Sequence, residues 1–600
     1  MPSGAQPTSK KPLLLLPLAA LLAILPLLLH GCSCGHDLVF HVQSWLDAAQ
    51  QLRHGTLYPR WAFTPAWNAG EPRLLFYPPL SWMLGAILTI LFPVAATPTI
   101  FIFIALLASG LTFYKLASHF VSPDAALLAA ALYLANPYML FNAFERSALA
   151  ELLAAAWIPL LFLAVLRTRP TVRAIAIPIA LLWLTNAPAA VMGCYTFALL
   201  ATLRVLHALR TRNLQAKSLA LTCIAGTALG LALPAFYLLP AAYERRFIQV
   251  AMAIIPNMRY QDNFLFTSTA DAAHNVVNHT ASTLALTLLI LTIATVLTLL
   301  LLRKRIAHFL APVLAALAAL TVFIAFLLFS LSAPLWEHLP ELAFLQFPWR
   351  LLTILSAVLA LALALLFDAF THPPTIQLPQ APRKIQLPPS AQDLPPFAQN
   401  LAALLLPLAL GLFTFHLYAQ PCGPDDRPAT IAQHLATHHG VAPTDEYTPS
   451  NADNDVLRTD NPGYWLSASA NPNTPAPNTL PTATELNPNI DTDDNPIPLD
   501  QTISAHAPTH LTLNLPQPEI LILNLRAYPN WDVTGVGPDT MSIEHYPSPA
   551  RDDGLITMQL PRGQRTIDIA WRRTPDQQLG IALSALALIA LALTFRRTQT

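Results

Sequence analysis

GHDLVFHVQSWLDAAQQLRHGTLYPRWAF, residues 35–63, follows directly on an apolar run that ends near Leu29. Read as a helix, it brings Asp37, His41 and Ser44 onto one face at spacings of four and three, and lines the other with Leu38, Val42, Trp45, Leu46 and Leu52. The pattern predicts an amphipathic helix at a membrane surface, with a carboxylate and an imidazole on the side turned to water. Two readings compete: a site for a lipid-linked substrate, or polar residues that solvate an interfacial helix.

The rest of the chain supports the membrane. Of 600 residues 54% are hydrophobic and 11% charged, with mean hydropathy +0.47, which excludes an ordinary soluble globule. Basic and acidic residues balance at 33 each, so no nucleic-acid partner is expected on charge. Acids gather in the last third and bases flank the apolar runs. Five cysteines are too few for a disulfide scaffold, although Cys32 and Cys34 follow the first apolar run and Cys422 a late one, which allows a bridge in an oxidising compartment. The segment LLLHGC resembles a lipoprotein cleavage site but has His30 where a small residue is expected, so the first run reads as a retained anchor.

Runs long enough to cross a bilayer fall near 12–30, 99–117, 124–142, 149–166, 174–190, 188–206, 218–239, 281–302, 308–331, 350–368, 399–417 and 577–595, about 12 transmembrane helices in all. With Lys10 and Lys11 inside, one orientation puts Lys115, Arg167, Arg169, Arg173, Arg204, Arg210, Arg212, Lys217, Arg303, Lys304, Arg305, Arg383, Lys384, Arg596 and Arg597 on the cytoplasmic side. This requires YPPLSWMLGAILTILFP, residues 77–93, to lie in the interface without crossing. The expected address is a bacterial inner membrane, multi-pass, with both termini cytoplasmic. The outer face then carries 31–98, the turn at Glu145 and Arg146, 240–280, 332–349 and 418–576; the inner loop 371–396 is a proline-rich linker.

The domain reading is a polytopic module over 1–417 with its first outer loop at 31–98, an extracytoplasmic soluble domain over 418–576, and a closing helix and tail over 577–600. From about residue 505 the soluble domain alternates with the period of strands, in THLTLNLP, EILILNLR, DGLITMQLP and QRTIDIAWRR, which predicts a small β-sandwich-like unit.

Ionisable residues are scarce inside the spans, so chemistry is expected at the outer rim. Asp37, with His36 and His41, is placed to take a proton from a hydroxyl or, with His41, to hold a divalent cation; an ordinary first-turn acid is the plain alternative. Arg60 and Arg73, among Trp61, Trp67 and Trp82, form a candidate anion pocket, with Glu71 between them as a candidate substrate contact, against simple interfacial tryptophans. In NAFERSALAE, residues 142–151, Glu151 lies about one turn into the apolar layer and demands a partner, for which Arg146 is nearest. Gln346, Trp349 and Arg350 open a span, where a guanidinium forks onto phosphate or simply anchors the helix. His434 and His438 in QHLATHHG suit a solvated surface, and DTDDNP, residues 491–496, lacks the spacing of a calcium loop. No GxGxxG, Walker loop, HExxH or GxSxG is present, and no metal site is assigned.

The layout of one span, an acid-led outer loop, a PPL helix, many spans and an outer domain resembles the C-type glycosyltransferase (GT-C) superfold. The segments GHDLVFH, YPRW, FYPPL, ERSALAE, FYLLPAAYE and QFPWR resemble bacterial membrane proteins termed 6-pyruvoyl-tetrahydropterin synthase-related, and DEYTP, YPNWDV and GLITMQLPRG are similar to the outer domains of YfhO-like relatives. The resemblance implies an inverting glycosyltransferase that moves a sugar from polyprenyl phosphate to an outer glycan, lipid or protein acceptor, with Asp37 as the first-loop acid. Many members of the superfold carry two adjacent acids there, whereas here the neighbour is His36. The alternatives are a transporter or flippase for a lipid-linked glycan, which would favour repeats and midplane polar groups, and a non-catalytic assembly factor acting through 418–576.

Overall fold

The computed structural model describes residues 11–303, 310–371, 396–467, 483–486, 506–536 and 551–596; the segment 491–496 lies outside them. Among these residues eight helices are long and apolar enough to cross a membrane: Val94–Ala117, Pro123–Phe144, Leu149–Leu166, Ala187–Arg210, Ala272–Leu301, Pro348–Thr371, Ala398–Tyr418 and Pro575–Phe595. Two further pairs, Ala216–Ala232 with Ala235–Phe247 and Ala311–Leu327 with Ser330–His338, bend by 73° and 92°, giving up to ten candidate spans among the described residues.

The other two expected runs form shorter helices, for local reasons. The run 12–30 divides into Lys11–Ala23 and Leu25–His30, with Pro26 opening the second helix. The run 174–190 ends at Thr185, because the extended Asn186 caps the next helix with its side chain. The helix Pro79–Leu91 has only 13 residues, too short to span.

That short helix packs on the helix Leu38–Arg53. A Cβ on Gly85 would come within 2.2 Å of the Trp45 ring, so glycine lets the two helices touch there. The helix Pro428–Ala436 packs on Leu38–Arg53 as well, and His41 and Ser44 end up buried along with Leu38, Val42 and Trp45. The water-facing side expected for His41 and Ser44 is thus corrected: the Tyr77 ring lies against His41 and the Arg73 guanidinium bonds Ser44 Oγ, so the later part of the same loop closes it. Asp47 braces the turn that follows, accepting hydrogen bonds from Phe63 N, Thr64 N, Thr64 Oγ1 and Gln51 Nε2.

The strands are β1 (Tyr464–Ser467), β2 (Ala483–Leu486), β3 (His510–Leu515), β4 (Glu519–Arg526), β5 (Trp531–Val536), β6 (Leu555–Leu560) and β7 (Gly563–Trp571). They form two antiparallel sheets, ordered β1-β4-β6 and β2-β3-β7-β5. Leu511 and Leu513 of β3, Leu521 and Leu523 of β4, Ile556 of β6 and Ile567 of β7 share one apolar core, the sandwich that alternation predicts. Two strands precede residue 505. β1 was hidden because all but one of its four residues are buried, leaving no alternation to read.

The sandwich is fastened to the first loop. The other face of β4 meets Ala66 and Ala69 through Ile522, Asn524 Nδ2 donates to Trp67 O (3.1 Å), and Arg526 N donates to Ala69 O (3.0 Å). Glu244 takes hydrogen bonds from Tyr528 Oη (2.8 Å), Thr574 Oγ1 (3.2 Å) and Gln577 Nε2 (2.8 Å), tying the sandwich to the helix Pro575–Arg596. A disulfide joins Cys34 to Cys422, closing the start of the first loop onto the end of the helix Pro396–Tyr418.

Candidate active site

The polar centre of the molecule is Glu151. It is buried and accepts hydrogen bonds from Tyr138 Oη (2.8 Å), Asn142 Nδ2 (3.3 Å), Arg146 Nη1 (2.8 Å) and Thr353 Oγ1 (3.1 Å), while Arg350 Nε stands 3.5 Å away. Tyr138, Asn142 and Arg146 arrive here because a spacing of four keeps them on one side as the helix Pro137–Phe144 runs out. Arg350 and Thr353 come from the start of Pro348–Thr371, also about one turn apart. The partner that burial of Glu151 demands is therefore Arg146, with Arg350 as a second guanidinium. Tyr138, Asn142 and Thr353 were missed by sequence reasoning; a polar stripe at helical spacing inside apolar runs was the available signal.

Two guanidiniums face one carboxylate. Arg146 lies 4.9 Å over the Trp349 ring and Arg350 5.0 Å over the Phe347 ring, so aromatic faces shield the positive charge from water. Arg350 Nε makes no hydrogen bond among the described residues.

Asp37 supplies the second negative group. Its N–H donates to Arg146 O (2.8 Å), and Gly35 N–H donates to Ser147 Oγ (3.1 Å). Gly35 is pressed so closely onto this turn that a Cβ would fall 2.4 Å from Glu145 O. The Asp37 carboxylate is half-buried, makes no side-chain hydrogen bond among the described residues, and lies within electrostatic reach of Arg146, Arg350, His41 and Tyr77. The sequence-derived pair of Asp37 and Arg350 is thus brought into one neighbourhood.

The other expected members divide. His36 is exposed and turns to Glu145, whose carboxylate, 3.8 Å from Nε2, raises its pKa. His41 is buried between Trp45 and Tyr77, its Nε2 without a partner. Burial pushes its pKa down to about 4, with Arg73 adding and Asp37 opposing, so it is neutral at physiological pH. For the candidate divalent cation, Asp37 and His41 gather no third His, Cys, Asp or Glu among the described residues, and two ligands do not make a cage.

Arg73 does not open onto an anion pocket. Its Nε bonds Glu71 Oε1 (2.7 Å), Nη1 bonds Ser44 Oγ (3.2 Å) and Nη2 bonds Thr444 Oγ1 (2.6 Å), and Glu71 also accepts from Thr444 N (2.9 Å). The Glu71–Arg73 pair is a clasp between the first loop and residue 444. Arg60 lies over Tyr58 (5.0 Å) and within electrostatic reach of Glu244 and Asp576, away from Glu151. Trp61 packs on Tyr528, Trp531 and Trp571 of the sandwich. Gln346, at φ +63°, donates to Ala253 O (2.5 Å) and not to the cluster, whereas Trp349 is buried within it. His434 and His438 are exposed. A cavity of about 540 Å³ lined by Val172, Lys217, Ser218 and Thr222 contains none of these groups.

The His41 shift has a measurable consequence. In the unfolded chain the imidazole titrates near 6.5, so between about 4 and 6.5 the unfolded state binds more protons and folding weakens as pH falls through that window. His41→Phe, which keeps a buried ring without titrating, is expected to lose less melting temperature between pH 7.5 and 4.5 than wild type. Equal losses would show that His41 does not carry the proton.

No family model matches the chain, nor does any curated protein. Among solved structures it is similar to the mycobacterial arabinofuranosyltransferase AftD (16% identity, TM-score 0.37), covering 70% of this chain and 28% of that one. It is similar also to the Archaeoglobus fulgidus oligosaccharyltransferase in the apo form (14%, TM-score 0.33), covering 73% and 57%. ArnT from Cupriavidus metallidurans bound to undecaprenyl phosphate shares 11% identity at TM-score 0.27, with 73% and 90% covered. The chain spans under two thirds of the first two, and likeness this distant leaves function to the residues themselves.

Proposed function

We propose that the protein is a membrane glycosyltransferase of the GT-C type, acting on the outer side of a bacterial inner membrane with a polyprenyl-phosphate sugar as donor. The observation that carries this reading is the charge arrangement at Glu151: two shielded guanidiniums, one buried carboxylate, and a half-buried Asp37 as a second acid that both arginines sense.

Asp37 takes the proton of an acceptor hydroxyl. The hydroxyl oxygen attacks the anomeric carbon as the bond from that carbon to the phosphate oxygen breaks, with inversion. The proton ends on Asp37 and the electron pair on the departing polyprenyl phosphate. Protonation of Asp37 leaves one positive charge beside Glu151 unbalanced at the moment the phosphate gains its charge, so Arg350, with Arg146, stabilises the product side of the step. The acceptor is a glycan, lipid or protein of the cell envelope.

Arg350 is the more available of the two arginines, because Arg146 is hydrogen-bonded to Asn142 and Glu151 whereas Arg350 meets Glu151 only as an ion pair at 3.5 Å. Arg350→Ala is expected to lower retention of undecaprenyl monophosphate by about 10-fold or more in native mass spectrometry, as loss of a charge-assisted hydrogen bond requires, with Arg350→Lys in between. Retention equal to wild type in both variants would refute the phosphate role.

A further inference from the structure

Three of the five cysteines meet at the foot of the loop that carries Asp37. Cys34 and Cys422, 388 residues apart, are joined. The Cys32 sulfur lies 3.8 Å from that of Cys422, and the three sulfurs fall within 4.8 Å of one another. Cys32 is a free, half-buried thiol, while the other free cysteines, Cys194 and Cys223, lie in the helices Ala187–Arg210 and Ala216–Ala232. A structural tie needs two sulfurs; a third in contact with the bond is a nucleophile placed beside its target.

We propose that Cys32, Cys34 and Cys422 form a thiol–disulfide exchange site in which the bridge to Cys422 passes between Cys34 and Cys32. The Cys32 thiolate attacks the Cys422 sulfur, the Cys32–Cys422 bond forms as the Cys34–Cys422 bond breaks, and Cys34 leaves as a thiolate that takes up the proton Cys32 released. The step is redox neutral and draws on no outside oxidant. Burial raises the Cys32 thiol pKa and the Arg427 charge works against that rise.

The exchange reaches the proposed catalytic loop through backbone contacts. Cys34 N donates to Gln420 O (3.1 Å), Gln420 N donates to Ser33 Oγ (2.8 Å), and Gly35 and Asp37 are hydrogen-bonded to Ser147 and Arg146. A tether on Cys34 stands three residues before Asp37, and one on Cys32 stands five before it. Moving the bridge to Cys32 lengthens the free segment, so the Cys34 form is the one that seats Asp37 firmly.

The test needs no substrate, and its outcome is separate from the transfer reaction. Full-length protein purified without reductant is held at mildly alkaline pH, labelled with N-ethylmaleimide and digested, and fragment spectra assign the label to Cys32 or Cys34. Label shared between the two, with Cys422 always bridged, is the expected result. Cys34→Ser is expected to keep a bridge, now Cys32–Cys422, read as an intact mass lighter by two hydrogens than the fully reduced variant, and to exchange deuterium faster over residues 35–40 than Cys32→Ser. Label confined to Cys32, or free Cys32 and Cys422 thiols in a folded Cys34→Ser, would overturn the exchange; equal deuterium uptake in the two single variants would overturn its link to Asp37. If Cys34→Ser does not accumulate, the wild-type label decides alone.

Discussion

Asp37→Asn is expected to lower sugar transfer by about 10²–10⁴-fold, the usual contribution of a general base, while leaving the melting temperature unchanged. The second half of that expectation comes from geometry. Asp37 is held by its backbone, through the hydrogen bond to Arg146 O, and its carboxylate makes no side-chain hydrogen bond that an amide would lose. Asparagine fills the same volume and cannot take the proton. Transfer is measured in proteoliposomes from a panel of polyprenyl-phosphate hexoses and pentoses, alongside retention of undecaprenyl monophosphate. The variant should still retain the lipid, because the arginines keep their charge and lose a competing negative neighbour. Transfer at the wild-type rate would remove Asp37 from the chemistry; loss of fold together with activity would assign it a structural role.

Glu151→Ala is expected to cost about 3–5 kcal/mol, the penalty for stranding a buried charge, because it strands two. Arg146 and Arg350 both lean on this carboxylate, and Tyr138, Asn142 and Thr353 donate to it from two different helices. The variant should accumulate poorly and melt many degrees lower in detergent. Pairing it with Arg146→Met should recover part of the loss, since removing both members of a buried pair costs less than removing one. A single variant that melts like wild type would mean that water, and not Glu151, balances the arginines.

The same residue shows what the sequence could and could not convey. An acid one turn inside an apolar run requires a cation, and Arg146 five positions earlier was within reach, so that pair was legible from burial cost alone. Arg73 was not. Its donors are taken by Glu71, Ser44 and Thr444, and the last of these is 371 residues away, a distance no periodicity bridges. The helix Leu38–Arg53 failed similarly: its polar spacing was read correctly, but Tyr77 and Arg73, which close over His41 and Ser44, lie beyond the helix, where its periodicity does not reach. Apolar length located the eight long helices. It ran past the breaks at Pro26 and Asn186, where the helices come out shorter, since hydropathy averages over a break that backbone geometry cannot ignore. Alternation found β3, β4, β6 and β7, and passed over four-residue β1.

A direct measurement is a cryo-electron microscopy structure of the protein in nanodiscs with undecaprenyl monophosphate. The phosphate is expected within hydrogen-bond distance of the Arg350 guanidinium, with the Asp37 carboxylate on the same side of Trp349 and open to an incoming hydroxyl. A phosphate seated away from Arg146 and Arg350, or an Asp37 side chain turned from it with protein packed between them, would contradict that expectation.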